Sequence, residues 1–554
     1  MLKVSLVSIL IVVSTVWWLE ERPQLTATRL AVEEALINHG YLPPPEPEHP
    51  AYRFPSCDGI YGLIERSDSA GSYPKYEAIQ GLIDAPVDYP RYEGVSGCID
   101  RGDMNGGETY ALTTPNQNQE AKKQNVTTFS IDVDTASYAN IRRLIGVGKA
   151  VPPNAVRIEE MINYFRYNYA EPTEGRPLAI ETNIGSCPWD EGKNLVHIGL
   201  QAKKVSPGKI PPLNLVLLVD VSGSMESADK LPLLRAALRE FVGSLRKEDR
   251  LSLVTYAGSA GVVLPPTPGD KKIEIENALM KLSGGGGTNG ARGILTAYDL
   301  ARENFDKESI NRVILATDGD FNVGLSNTED LLSLIRGQRD SGIYLTVLGL
   351  GSGNINDHLM EQLADMGNGI YAYLDSLAEA RRVLMEQAGS SFVPVADDVK
   401  VQVEFDPDMV ESFRQVGYEN RQLDNEDFSN DRKDAGEMGA GHQVTALYEV
   451  ELAGPLLPLQ SIGQVRVRYK PPGEPDSKQN EARLAWRPWE KSDSLRFASS
   501  VAEFGMFLKH HPKADIERVC GSLRENPLWQ EEPDRKEFQG LVDVISLLEA
   551  EKAR

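Results

Sequence analysis

Residues 215–225 read LVLLVDVSGSM. The run Leu215–Val219 is short, apolar without alternation and bounded by turn formers, which predicts a strand buried on both faces. It ends on Asp220, Ser222 and Ser224, and Gly223 between the serines permits a tight turn. One carboxylate and two hydroxyls therefore fall just past the carboxyl end of a strand, the edge at which open α/β sheets bind ligands. Oxygen donors carrying a single negative charge suit a hard cation such as Mg2+ better than zinc or iron.

Working outward, Ala228–Leu245 carries Leu231, Leu234, Leu238, Phe241, Val242 and Leu245 on one helical face. A strand follows at 250–258 and a helix at 273–282. Next comes SGGGGTNGARG, whose four glycines before Thr288 let the backbone approach an ion closely. A phosphate cradle is excluded there, because no Lys-Ser/Thr pair follows and the glycines come after a helix rather than a strand. The strand RVILATDG at 312–319 puts Thr317 and Asp318 at its carboxyl end, and 343–351 and 369–374 supply two more strands. Alternating strands and helices predict an α/β unit with a mostly parallel, doubly wound sheet. Asp220, Ser222, Ser224, Thr288 and Asp318 are the candidate metal ligands. Each alone reads as a turn or cap residue. Together they leave at least one position of an octahedral ion for water or an outside ligand.

This set resembles the metal-ion-dependent adhesion site of von Willebrand factor type A domains, on DVSGS at 220–224, Thr288 in its glycine-rich loop and TDG at 317–319. The resemblance covers about residues 212–385. It implies a Rossmann-like sheet with Mg2+ at its top, or Mn2+ or Ca2+. Ser222, Ser224 and Thr288 would be direct or near-direct ligands, with Asp220 and Asp318 acting directly or through water. It also implies that an acidic side chain of a partner protein completes the site. The flanking segments TFSIDVDTASYANIRR and VRIEEMINYF, with the β-rich carboxyl end, resemble the bacterial YfbK-type proteins.

Alternating segments at 176–202 and 397–485 predict antiparallel strands on both sides of the α/β unit, which would flank it with a sandwich-like β domain. The polar stretch within 412–443 reads as a long loop. Asp132 and Asp134 invite a second metal reading, but Asp134 and Thr135 also fit a helix amino-terminal cap, which is the expectation taken. The organisation expected is an anchor or signal segment at 1–20, a Pro/Gly-rich tether of low order at 21–122 and an N-terminal family segment at 123–210. The α/β unit at 211–386, a β-rich domain at 387–490 and C-terminal helices at 491–554 follow.

The anchor rests on the uncharged run 4–19, with Lys3 before it, Trp17 and Trp18 near its end and Glu20 and Glu21 after it. That pattern places the body outside the cytoplasm, membrane-anchored, or released if the segment is cleaved as a signal. Export would permit a Cys57–Cys98 disulfide, while Cys187 and Cys520 read as separate buried thiols. Lys+Arg 58 against Asp+Glu 81 leaves a net charge of −23, which excludes nucleic acid and anionic lipid as electrostatic partners. No nucleophile elbow, HExxH or P-loop is present, and no histidine lies beside the motif strands, so a non-enzymatic role is expected. The expected function is an envelope-associated module that binds a protein through a metal-bridged carboxylate. The alternative is an ATPase-associated assembly subunit.

Overall fold

The computed structural model describes residues 107–554 except 287–289, 320–327, 388–392, 434, 458–459, 487–491, 527–528, 530 and 553–554. The run 4–19, the Cys57–Cys98 pair and Thr288 lie outside the described residues. No helix among those described is long and apolar enough to cross a membrane.

The central sheet has six strands: β1 (Leu213–Asp220), β2 (Arg250–Tyr256), β3 (Ala260–Pro268), β4 (Ile310–Thr317), β5 (Tyr344–Leu350) and β6 (Tyr371–Leu374). Their order is β3-β2-β1-β4-β5-β6, parallel throughout except for β3, which pairs antiparallel with β2. That is the doubly wound order, whose direction reverses between β1 and β4. Six helices complete the unit: α1 (Leu231–Ser244), α2 (Lys272–Met280), α3 (Gly290–Glu303), α4 (Thr328–Asp340), α5 (Asp357–Met366) and α6 (Leu377–Arg381). Successive residues of a strand point to opposite faces. Accordingly Leu215, Leu217 and Val219 pack with α1 and α2 through Leu234, Leu238 and Ile275. Val216 and Leu218 pack with α3, α4 and α5 through Ile294, Leu331 and Met360.

The edge strand β3 has no counterpart among the strands expected from the sequence, and it carries Pro265, Pro266 and Pro268. Proline is tolerated where one side of the strand has no ladder to complete.

The flanks form two antiparallel sheets that share one apolar core, with Ile198, Leu200 and Val444 on one and Phe129, Val401, Val403 and Val465 on the other. One sheet orders Gln119–Glu120, Val410–Val416, Gln443–Leu452, Asn194–Ala202 and Leu178–Ser186. The other orders Gln422–Leu423, Val126–Ser130, Pro394–Phe405, Ser461–Lys470 and Lys478–Ala485, with Met438–Gly439 beside Pro394–Phe405. The α/β unit is thus inserted between the two halves of a sandwich. The polar stretch within 412–443 is largely loop, as expected, interrupted by the two-residue strands Gln422–Leu423 and Met438–Gly439 and a short turn of helix at Asn425–Ser429. Val410–Val416 is a paired strand that buries Phe413 and Val416. Its Arg414 is held by Glu449 across the ladder. The end of the expected tether is also tied down: Gln119 and Glu120 pair with Phe413 and Ser412, and Thr109 N–H donates to Ile355 O at 2.8 Å.

Residues 142–151 and 516–554 form a separate unit. Within it helices Ile516–Arg524 and Pro533–Lys552 pair through Ser546 Oγ to Glu517 at 2.6 Å and Arg524 to Asp543 at 3.1 Å. Cys187 and Cys520 are free and buried, as expected.

One buried group makes the sandwich sensitive to acid. His197 is fully buried, its Nε2 shares a 2.8 Å hydrogen bond with Tyr169 Oη, and burial pushes its pKa down to about 3. A depressed histidine contributes stability that is fully present above its unfolded value and is lost as pH falls. His197→Gln should therefore lose less stability than wild type between pH 6.5 and 4, by up to about 1.4 kcal/mol per pH unit. Urea melts across that range measure it, and parallel slopes for the two proteins would contradict it.

Candidate functional site

β1 and β4 are neighbours, so Asp220 and Thr317–Asp318 meet at the point where the strand order reverses. Both carboxylates are fully buried. Asp220 Oδ1 accepts from Ser222 N–H at 2.8 Å and Oδ2 from Thr317 Oγ1 at 3.3 Å. These bonds hold the carboxylate under the turn that carries the serines. Ser222 Oγ and Ser224 Oγ lie 3.0 Å apart; Ser222 is buried and Ser224 exposed, so the site opens to solvent on the Ser224 side. Burial raises the pKa of Asp220, and the neighbouring Asp318 adds to the shift. Asp318 is held below the ordinary carboxylate range. Burial would push it up, but the hydrogen bonds from Lys230 and Ser224 outweigh that.

The glycine-rich loop is seated on the first loop. Gly285 N–H donates to Val221 O at 2.9 Å and Gly223 N–H to Gly286 O at 3.3 Å. Gly286 has φ +85°, a left-handed conformation that side-chain-bearing residues rarely adopt. The structure therefore brings Asp220, Ser222, Ser224 and Asp318 together and lays the loop leading to Thr288 beside them.

A residue that sequence reasoning missed sits among them. Lys230, just before α1, reaches Asp318 Oδ2 with Nζ at 2.9 Å and Asn354 Oδ1 at 3.2 Å. Its side chain is only 8% exposed, so this is a desolvated ion pair and not a surface contact. In the sequence, Lys230 reads as an ordinary polar residue at a helix start.

A second polar cluster lies on α5. Asp357, Glu361 and Asp365 are spaced by four and share one helical face. Arg157 pairs with Asp357 and Glu160, and Arg421 with Glu361 at 2.9 Å, Asp365 at 2.6 Å and Asp134 at 3.4 Å. Asp134 also accepts from Tyr371 N–H at 2.7 Å, so both of its carboxylate oxygens join this network. The oxygens of Asp134, Glu160 and Glu361 come within 4.8 Å of one another, a buried acidic triad that could bind a metal. Two guanidiniums already occupy it, which favours a structural ion network. The acids of α5 share one face by their spacing, but Arg157 lies 200 residues before Asp357 and Arg421 60 residues after Glu361.

The fold places the central unit in a known class. The family model described as von Willebrand factor type A domain matches residues 214–386, and one described as von Willebrand factor matches 104–197. A third, described as Uncharacterized protein YfbK, C-terminal, matches 390–456 and 458–548. The chain is 37% identical over 433 residues to YfbK of Escherichia coli (strain K12), covering 73% of this chain and 74% of that one. It therefore belongs to the YfbK family. It is also 26% identical over 266 residues to the Homo sapiens inter-alpha-trypsin inhibitor heavy chain H3, 44% of this chain and 29% of that one. A solved von Willebrand factor type A protein from Catenulispora acidiphila aligns over 66% of this chain and 89% of its own, at TM-score 0.39 and 16% identity.

Proposed function

We propose that the chain is a non-enzymatic binding module of the cell envelope that engages an acidic group of a protein partner through a divalent ion. The observation that carries this reading is the gathering of two buried carboxylates and two serine hydroxyls at the switch point of the sheet. Among the described residues the donor set is all oxygen, and its two negative charges meet a single ammonium, a balance that suits Mg2+, or Mn2+ or Ca2+. Asp220, Ser222 and Ser224 would hold the ion, with Asp318 supporting it directly or through water and Thr288 as a further ligand from the sequence. The ion would supply the local positive charge to which a partner's carboxylate binds. Asp220 is oriented by Ser222 N–H and Thr317, and exposed Ser224 marks the face open to the partner. The envelope location rests on the sequence of residues 4–19.

Asp220→Ala is expected to abolish Mg2+ binding in calorimetry and Mg2+-dependent capture of envelope proteins, while circular dichroism stays that of a folded chain. Capture that persists in EDTA, or in the variant, would sink the reading.

A further inference from the structure

We propose that Lys230 is a built-in counter-cation that makes the metal-loaded site selective for an anionic ligand. The inference rests on the metal reading above and concerns the charge left over once an ion is bound.

Among the described residues, Asp220 and Asp318 contribute two negative charges to the site and Lys230 one positive charge. A divalent ion leaves the loaded site with one net positive charge, which a single carboxylate neutralises. Without Lys230 the loaded site would be neutral, and an anionic ligand would gain little over water. That local charge matters here because the surroundings oppose an acidic partner. The chain carries −23 overall, and Glu226 and Asp229 are exposed on the segment between Ser224 and Lys230. Physiological salt screens those exposed charges over about 8 Å. The buried ammonium is screened much less.

The fold also fixes where the ammonium sits. The Lys230 stem runs across Gly351, where an added Cβ would lie 2.1 Å from Cε and 2.3 Å from Cγ. Gly351 has φ +73°, so glycine serves both the turn and the passage of the stem. Asn354 on the same loop holds Nζ from the other side. The loop in turn is fastened by Glu108, which accepts from Gly353 N–H at 2.9 Å. An exposed lysine would settle for any carboxylate; this one is threaded to Asp318.

The test uses the full-length chain with Mn2+ as the ion and acetate as the anionic probe, followed by water-proton relaxation. A charge a few ångströms away typically shifts a charged equilibrium by about tenfold or more. Lys230→Met should therefore bind Mn2+ about tenfold more tightly and need about tenfold more acetate to displace metal-bound water. Lys230→Arg should restore the acetate response. Thermal melts separate this from misfolding: the rise in Tm on adding Mn2+ should be larger for Lys230→Met than for wild type, because the ion then relieves the unneutralised carboxylate pair. Unchanged Mn2+ affinity or acetate response in Lys230→Met, with wild type binding and Asp220→Ala not binding, would overturn the role of Lys230 alone. Equal Mn2+ binding by wild type and Asp220→Ala would overturn the metal reading and this one with it.

Discussion

Replacing Arg421 by Met is expected to lower the unfolding free energy by about 3–5 kcal/mol, the usual cost of leaving buried charges unpaired. The guanidinium is 8% exposed and lies within ion-pair distance of Asp132, Asp134, Glu361 and Asp365. The loss should depend on pH in a definite sense. Burial pushes Glu160 and Asp365 up to about 7 in the folded chain, against ordinary values of 4.5 and 3.8. A raised carboxyl favours the folded state below its unfolded pKa, and that contribution is lost as pH climbs through the folded value. Without Arg421 the acids of the cluster keep only Arg157 among their described cationic partners; at pH 8 more of Glu160 and Asp365 is ionised than at pH 5.5, where their protonation relieves part of the repulsion. The destabilisation should therefore be larger at pH 8 than at pH 5.5 in urea melts. Comparing variant with wild type at each pH removes the opposing contribution of His197. A loss below about 1 kcal/mol, or one larger in acid, would show that the network does not hold α5 in place.

Gly369→Ala should be as severe for a different reason. A Cβ at that position would lie 1.6 Å from Leu345 O and 3.1 Å from Thr346 N. Both belong to β5, between β4 and β6, and Leu345 is fully buried. Backbone in the middle of a sheet cannot give way as a side-chain end can. The chain between α5 and β6 would have to move off, breaking Leu345 N–H to Gly367 O at 2.8 Å and Val347 N–H to Ile370 O at 3.0 Å. A loss above about 3 kcal/mol is expected, within the range of strong overpacking. Gly337→Ala on α4 is the matched contrast. It meets nothing within 4 Å, so it should stabilise by about 0.5–1 kcal/mol through helix propensity. Equal effects of the two substitutions in denaturant melts would refute the steric argument.

The central unit was legible because its signals are local. An apolar run ending in Asp-x-Ser-x-Ser declares a buried strand and a polar turn within eleven letters, and TDG at 317–319 does the same for its neighbour. Proximity of β1 and β4 then followed from topology, without any knowledge of side-chain contacts. The misses share one physical cause. Lys230 acquires meaning through Asp318, 88 residues away, and Asp134 through Tyr371 and Arg421, 237 and 287 residues away. Val410–Val416 is absent from the expected strands, and the glutamate that satisfies its Arg414 lies on another strand. The prolines of β3 exclude a central strand and are compatible with an edge.

The insertion of the α/β unit into the sandwich also dictates an order of assembly. In the sheet that contains Val126–Ser130, the partner of Phe129 is Val401, which is synthesised 272 residues later. During translation the early strands 126–130 and 178–202 must wait, with their apolar faces uncovered, until 394–485 arrive. The intervening unit is contiguous and its parallel pairs lie wholly within residues 213–374, so its sheet can close before the flanking strands meet. Once closed, it brings its own two ends back to neighbouring places and so delivers the late strands to the early ones. The domain that carries the candidate site is thereby also the clasp that lets the rest of the protein complete its fold.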